Sequence, residues 1–218
     1  MIQTVIFDLD GVIIDSEPIH FALEKQMFEE LHIPIPVKEH QLFVGMSSQN
    51  MWDRIVKKHE LRYTVRELVK KKYELYMEYL DNQNNLNPVP GAIPLIQSLF
   101  AEKFKLAIAS SSHLETIEKV ISKFHLSEFF QARISGTELK HSKPDPEIFI
   151  KAAECVHSRP AECLVIEDSE NGVKAAKAAL MMCIGYQNPN SGTQDLHQAD
   201  IIINTFEEIN AEKIRNLR

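Results

Sequence analysis

The 218-residue sequence predicts an α/β protein: a doubly wound, Rossmann-like parallel sheet with a small all-α domain inserted after the first strand. Three observations predict it. A short β-branched and aromatic run, Thr4-Val5-Ile6-Phe7, favours a buried strand and leads straight into Asp8-Leu9-Asp10-Gly11. From residue 16 to about 87 the chain is rich in charge, has no strand-like run and repeats apolar residues at helical spacing. From residue 88 onward strand-like and helical stretches alternate, the pattern of a parallel sheet with helices on both faces.

Taken in order, the opening strand spans 4–7, and its two-residue spacing sets Asp8 and Asp10 on one face. Gly11 lets the chain turn away. The insert shows Phe21, Leu23, Met27, Phe28 and Leu31, then Met51, Ile55 and Val56, then Leu68, Tyr73, Leu75, Tyr76 and Tyr79. Linkers at 14–18 and at the Asn- and Pro-rich 82–91 divide the chain into a core of 1–14 and 88–218 and an insert of 15–87. Downstream, helices are expected over 92–102, 114–124, 147–157 and 171–179. Strands are expected over 105–109, 132–135, 163–166, near Cys183 and over 201–203.

A chain 44% apolar and 25% charged can bury one good core and a small second domain. Its net charge of −7 recommends neither a nucleic acid nor an anionic membrane as partner, so any anion site must be local. Cys155, Cys163 and Cys183 are odd in number, lack C-x-x-C spacing and sit among apolar residues, which reads as buried, reduced thiols rather than disulfides or a zinc site. No basic leader precedes the first apolar run, and the stretch 178–184 is far too short to span a bilayer. A cytoplasmic monomer is the expectation.

In an open parallel sheet, ligands bind at the carboxyl ends of the strands. Four such ends carry polar groups here. Asp8 and Asp10 repel each other unless a cation lies between them or a proton is shared, and Mg²⁺ is the obvious cation. Ser110-Ser111-Ser112 precede a helix, where hydroxyls and amides can bind phosphate oxygens, although Ser112 also reads as a simple helix cap. Prolines around Lys143, in Ser142-Lys143-Pro144-Asp145-Pro146, hold one cation ahead of a helix. Glu167-Asp168 close a further strand facing opposite ways, so one can ligate a metal while its neighbour acts through water or a hydrogen bond.

In that order and at one sheet edge, F-D-L-D-G-V, I-A-S-S-S, S-K-P-D-P and V-I-E-D-S resemble the four motifs of the haloacid dehalogenase-like (HAD) superfamily, over essentially the whole chain. The resemblance implies that Asp8 is a nucleophile forming an aspartyl-phosphate and that Asp10 is the general acid and base. It implies that Ser110, Ser111 and Lys143 hold the phosphoryl group, and that Asp8, Asp10, Glu167 and Asp168 form the Mg²⁺ site. Dehalogenation needs neither Asp10 nor the metal carboxylates, so the expected activity is phosphoryl transfer from a small phosphorylated metabolite.

The insert matches in place the helical cap of the β-phosphoglucomutase-like and sugar-phosphate phosphatase branch, with 15–18 as one hinge. His20 then suits a role orienting substrate, against the plainer reading of a partly buried helix histidine. Lys70, Lys71 and Lys72 read most simply as a solvated face, with Lys72 alone a candidate substrate contact. Mutases of the branch carry an arginine just after a G-x-S in the cap and a lysine after the serine-rich turn. Here Gly45-Met46-Ser47 is followed by Ser48, and Ser112 by His113. Each change removes a charged hydrogen bond worth about 1.5–3 kcal/mol to a second phosphate. A phosphatase is therefore expected ahead of a mutase, in which Lys72 or His113 would have to compensate. A catalytically silent phosphate-binding regulator is a remote alternative, since no catalytic group is missing.

Overall fold

The computed structural model describes residues 1–43, 46–82 and 86–217. Six parallel strands form one sheet in the order β3-β2-β1-β4-β5-β6. They are β1 (Thr4–Phe7), β2 (Lys105–Ser110), β3 (Ala132–Ser135), β4 (Cys163–Glu167), β5 (Met182–Tyr186) and β6 (Ile201–Ile203). Helices α5 (Ala92–Ala101), α6 (Leu114–Lys123), α7 (Glu147–Cys155) and α8 (Glu170–Ala178) connect them, and α9 (Ala211–Arg215) follows β6. This is the doubly wound fold that the alternation predicts.

The strands lie where the sequence puts them, with two informative extensions. β2 runs on through Ser110 and β4 through Glu167, so both polar residues are the last of their strands rather than the first of their loops. β1 lies between β2 and β4, with Phe7 level with Ile108 on one side and Ile166 on the other. Strand order reverses at β1, and a crevice opens at the carboxyl edge of such a switch point. All four residues of β1 are buried, as are Leu106 to Ser110 and the whole of β4. Strands covered on both faces need continuous apolar runs rather than alternating ones.

The chain divides into two compact units, Met1–Asp15 with Asn87–Arg218, and Ser16–Leu86. The second unit is helical: α1 (Glu17–Glu30), α2 (Val37–His40), α3 (Ser48–His59) and α4 (Val65–Asn82). Met27, Phe28, Ile33, Phe43, Met51, Trp52, Ile55 and Leu68 form its own core. Gly45 of the G-x-S and residues 83–85 of the expected second linker lie outside the described residues.

Two expectations need correcting. Cys163 and Cys183 are buried free thiols, but Cys155 is exposed. α7 buries Ile148, Phe149, Ala152 and Ala153, and residue 155 falls outside that stripe. The three lysines of α4 are not one solvated face either. Lys70 is exposed, whereas the side chain of Lys72 is only 13% exposed.

Among the described residues no helix is long and apolar enough to cross a membrane.

Candidate active site

The carboxyl ends of β2, β1 and β4 bring three of the motif residues within hydrogen-bonding reach of one ammonium. Lys143 Nζ donates to Asp8 Oδ1 at 2.5 Å, to Glu167 Oε1 at 2.7 Å and to the carbonyl of Ala109 at 3.0 Å. It lies 5.0 Å from the centroid of the Phe149 ring, and its side chain is 7% exposed. Burial opposes a charge there, but Asp8 and Glu167 outweigh it and hold the ammonium well above its ordinary value. Lys143 is therefore a permanent cation, fixed at three points.

Asp8 is buried too. Burial pushes its carboxyl up, Lys143 pulls against that push, and Glu167 and Asp10 add to it, leaving it at about 7. Asp10 is held from another direction. Ser112 Oγ donates to Asp10 Oδ2 at 2.7 Å, with Ser110 Oγ a weak second donor at 3.5 Å. Ser110 is fully buried and its Oγ accepts from the Ser112 amide at 3.0 Å, so the serine turn is braced internally. The residue preceding α6 is His113, and it makes no side-chain cap bond to the helix. Ser112 is thus a partner of Asp10 and not a helix cap, while Ser111 is exposed beside it.

Glu167 and Asp168 face opposite ways, as alternation at a strand end requires. Glu167 Oε1 takes Lys143, and Oε2 accepts from the amides of Asp168 and Ser169 and from Ser169 Oγ, each at 2.9 Å. Both of its oxygens accept hydrogen bonds within the protein, one of them from Lys143. Asp168 turns instead toward Gly11. A Cβ on Gly11 would lie 2.0 Å from Asp168 Oδ2, and Gly11 has a φ of +79°. Both facts require glycine here. Ser191 Oγ donates to the same Oδ2.

Among the described residues no three His, Cys, Asp or Glu side chains gather as a ready metal cluster. Like charges repel, and each carboxylate is turned to its own donor: Asp8 to Lys143, Asp10 to Ser112, Asp168 to Ser191. Four carboxylates against one ammonium nevertheless leave this edge strongly negative. All remaining donors are hard oxygens, a set that suits Mg²⁺.

The residues singled out in the insert belong to the helical unit. His20, in the first turns of α1, packs on Tyr76 with ring centroids 4.4 Å apart. Lys72 Nζ pairs with Glu24 Oε1 and donates to Ser48 Oγ at 3.1 Å, so these two candidate substrate residues bond to each other. Glu24 Oε2 is 2.7 Å from His40 Nε2, and His40 is stacked on Phe21. Burial works against the ionised form of Glu24, but Lys72 and the hydrogen bonds from His40 and Lys72 outweigh it and bring the carboxyl down to about 2.

Sequence reading missed Ser191 and Asn188, both buried in the loop after β5. Asn188 Nδ2 donates to the Gly11 carbonyl at 2.8 Å. Only the N-P-N-S turn residues could have flagged them, and such a run is ordinary loop composition.

A switch point whose strand ends carry carboxylates, a clamped lysine and a serine turn is the arrangement of a phosphate-handling enzyme of the HAD type. A family model described as haloacid dehalogenase-like hydrolase matches residues 5–186, and the chain belongs to that family. Within it the chain is β-phosphoglucomutase-like. It is 31% identical to a β-phosphoglucomutase of Bacillus subtilis, over 96% of this chain and 92% of that one. It is 27% identical to a phosphorylated carbohydrates phosphatase of Thermotoga maritima, over 81% of each. Its fold matches the crystal structure of CbbY from Rhodobacter sphaeroides, solved with phosphate, at a TM-score of 0.88 and 22% identity over the full length of both chains.

Proposed function

We propose that this enzyme is a Mg²⁺-dependent phosphatase of a small phosphorylated metabolite such as a sugar phosphate, working through an aspartyl-phosphate on Asp8. The observation that carries the reading is the division of labour at β1. Asp8 is paired with a permanent cation while Asp10, two residues on, is held by neutral hydroxyls. One carboxylate is thereby set up as nucleophile and the other as proton carrier.

An Asp8 oxygen attacks phosphorus and the bond from phosphorus to the ester oxygen breaks. The leaving oxygen takes the proton held by Asp10. Ser112 and Ser110 donate to Oδ2 of Asp10, which favours that proton on Oδ1. Asp10 then removes a proton from water, the water oxygen bonds to phosphorus, and the bond to Asp8 breaks to release phosphate. Lys143 screens the phosphoryl oxygens from Asp8 throughout, and Ser110 and Ser111 lie at the turn that receives them. Asp8, Asp10 and Asp168 would hold Mg²⁺, whose contribution is positive charge against the phosphoryl oxygens.

A mutase reading draws on the Bacillus relative's name. It needs a cap cation for a second phosphate, and Lys72, its best substitute for the missing arginine, is already neutralised by Glu24. That favours water as the final acceptor. The test runs two assays on one sample: phosphate release from a panel of sugar monophosphates with and without Mg²⁺, and a coupled assay on β-glucose 1-phosphate with glucose 1,6-bisphosphate. Mg²⁺-dependent release is expected. Glucose 6-phosphate appearing many times faster than phosphate would replace the phosphatase with the mutase.

A further inference from the structure

The loop after β5 holds two buried polar side chains that no motif accounts for. Asn188 and Ser191 are 3% and 4% exposed. Burying hydroxyl and amide groups costs free energy unless they are bonded, so their partners indicate what the loop is built to hold. Asn188 Nδ2 holds the Gly11 carbonyl, in the turn that follows Asp10. Asn190 Nδ2 donates to Asp15 Oδ2 at 2.8 Å. Gln194 Oε1 accepts from the Glu170 amide at the start of α8 at 3.1 Å, and its Nε2 returns to the Ser191 carbonyl at 3.0 Å. Within the loop, the Asn190 amide donates to Asn188 Oδ1 and the Ser191 amide to the Asn188 carbonyl. The Ser191 hydroxyl is therefore presented from a loop tied down at three places, and it donates to Asp168 Oδ2 across the space that a side chain at residue 11 would fill.

We propose that Ser191 is a positioning residue for the metal carboxylate, with Asn188 fixing the turn against which it works. This rests on the reading of Asp168 as a Mg²⁺ ligand. Asp168 has a short side chain on a strand end beside other carboxylates, and repulsion would turn it away from them. A neutral donor on Oδ2 favours one rotamer without adding a charge that would compete with a cation. Partners of this kind behind a ligand typically change metal affinity by about 10–100-fold when removed.

The experiment titrates Mg²⁺ into the metal-free protein by calorimetry and records its melting temperature with and without metal. Five proteins are compared: wild type, Ser191→Ala, Ser191→Thr, Asp168→Ala and the Ser191→Ala/Asp168→Ala double variant. Ser191→Ala should bind Mg²⁺ about tenfold more weakly and lose most of the metal-induced rise in melting temperature. Ser191→Thr, which keeps the hydroxyl, should recover affinity. In the Asp168→Ala background the serine change should have no further effect on either readout. If Ser191→Ala binds Mg²⁺ like wild type, or lowers the metal-free melting temperature equally in both backgrounds, Ser191 is only a structural residue and the proposal falls. If the wild type itself binds no Mg²⁺, the metal reading fails and takes this one with it, an outcome distinct from the other two.

Discussion

As the proposed nucleophile, Asp8 sits where two demands conflict: it must be ionised, yet burial and the neighbouring carboxylates push its carboxyl up to about 7. Lys143 pulls against that push, and under the proposed mechanism a divalent cation would add to its pull. Asp8→Asn should keep the fold and lower phosphate release by about a thousandfold or more, because an amide is a far poorer nucleophile. Steady-state assays and a circular dichroism melt check it. The raised value has a sign in stability. Between the ordinary 3.8 and about 7 the metal-free folded state keeps a proton that the unfolded chain has released. Its contribution is full below 3.8 and is lost as pH rises through about 7, at up to about 1.4 kcal/mol per pH unit. Denaturant unfolding in metal-free buffer from pH 4 to 8 should show a decline that Asp8→Asn flattens; an unchanged decline in the variant would assign it to other groups. At this scale the motif carboxylates and serines were legible because they stand at or just past strand ends, which are readable from apolar runs, and Lys143 because prolines flank it ahead of a helix. Ser112 and Ser191 were not, since their partners lie at positions 10 and 168, and only topology brings them there.

Among the elements, the strands were legible almost residue for residue. Their buried, β-branched runs leave little choice of phase. The insert was legible as helical but not in its interior. Three consecutive lysines look like a wetted face, and nothing local shows that the third reaches Glu24 across 48 residues of sequence. The pair, with His40 and Ser48, is a polar knot inside a small helical unit. Lys72→Met should destabilise that unit by about 3–5 kcal/mol, because it leaves Glu24 buried without its cation. Adding Glu24→Gln should recover much of the loss. Trp52, the single tryptophan, is fully buried in the core of this unit, so its fluorescence reports the melt directly. The folded value of Glu24, about 2, lies below the ordinary 4.5. Its stabilisation is present above 4.5 and is lost as pH falls toward 2, a dependence that Glu24→Gln should remove.

At the scale of the whole molecule, each unit closes a core of its own, and the chain passes between them at 15–16 and again at 86–87. On the sheet unit these two passages are stitched together. The Asp15 amide donates to the Asn87 carbonyl at 3.0 Å, the Val89 amide donates to the Ile13 carbonyl at 2.9 Å, and Ile14 bridges to Pro88. Both ends of the insertion are thus pinned by backbone bonds that owe nothing to the helices between them. Closing a loop costs only about 0.6 kcal/mol more for each doubling of its length, so what is spliced in at this seam scarcely alters the sheet unit's stability. Replacing residues 16–86 by a short Gly-Ser loop should leave a cooperatively melting α/β protein, checked by circular dichroism and calorimetry; a chain that no longer melts cooperatively would show the seam insufficient. A seam of this kind makes the two units heritable apart from each other: the sheet unit can keep its carboxylates and lysine while the inserted helical segment is exchanged wholesale.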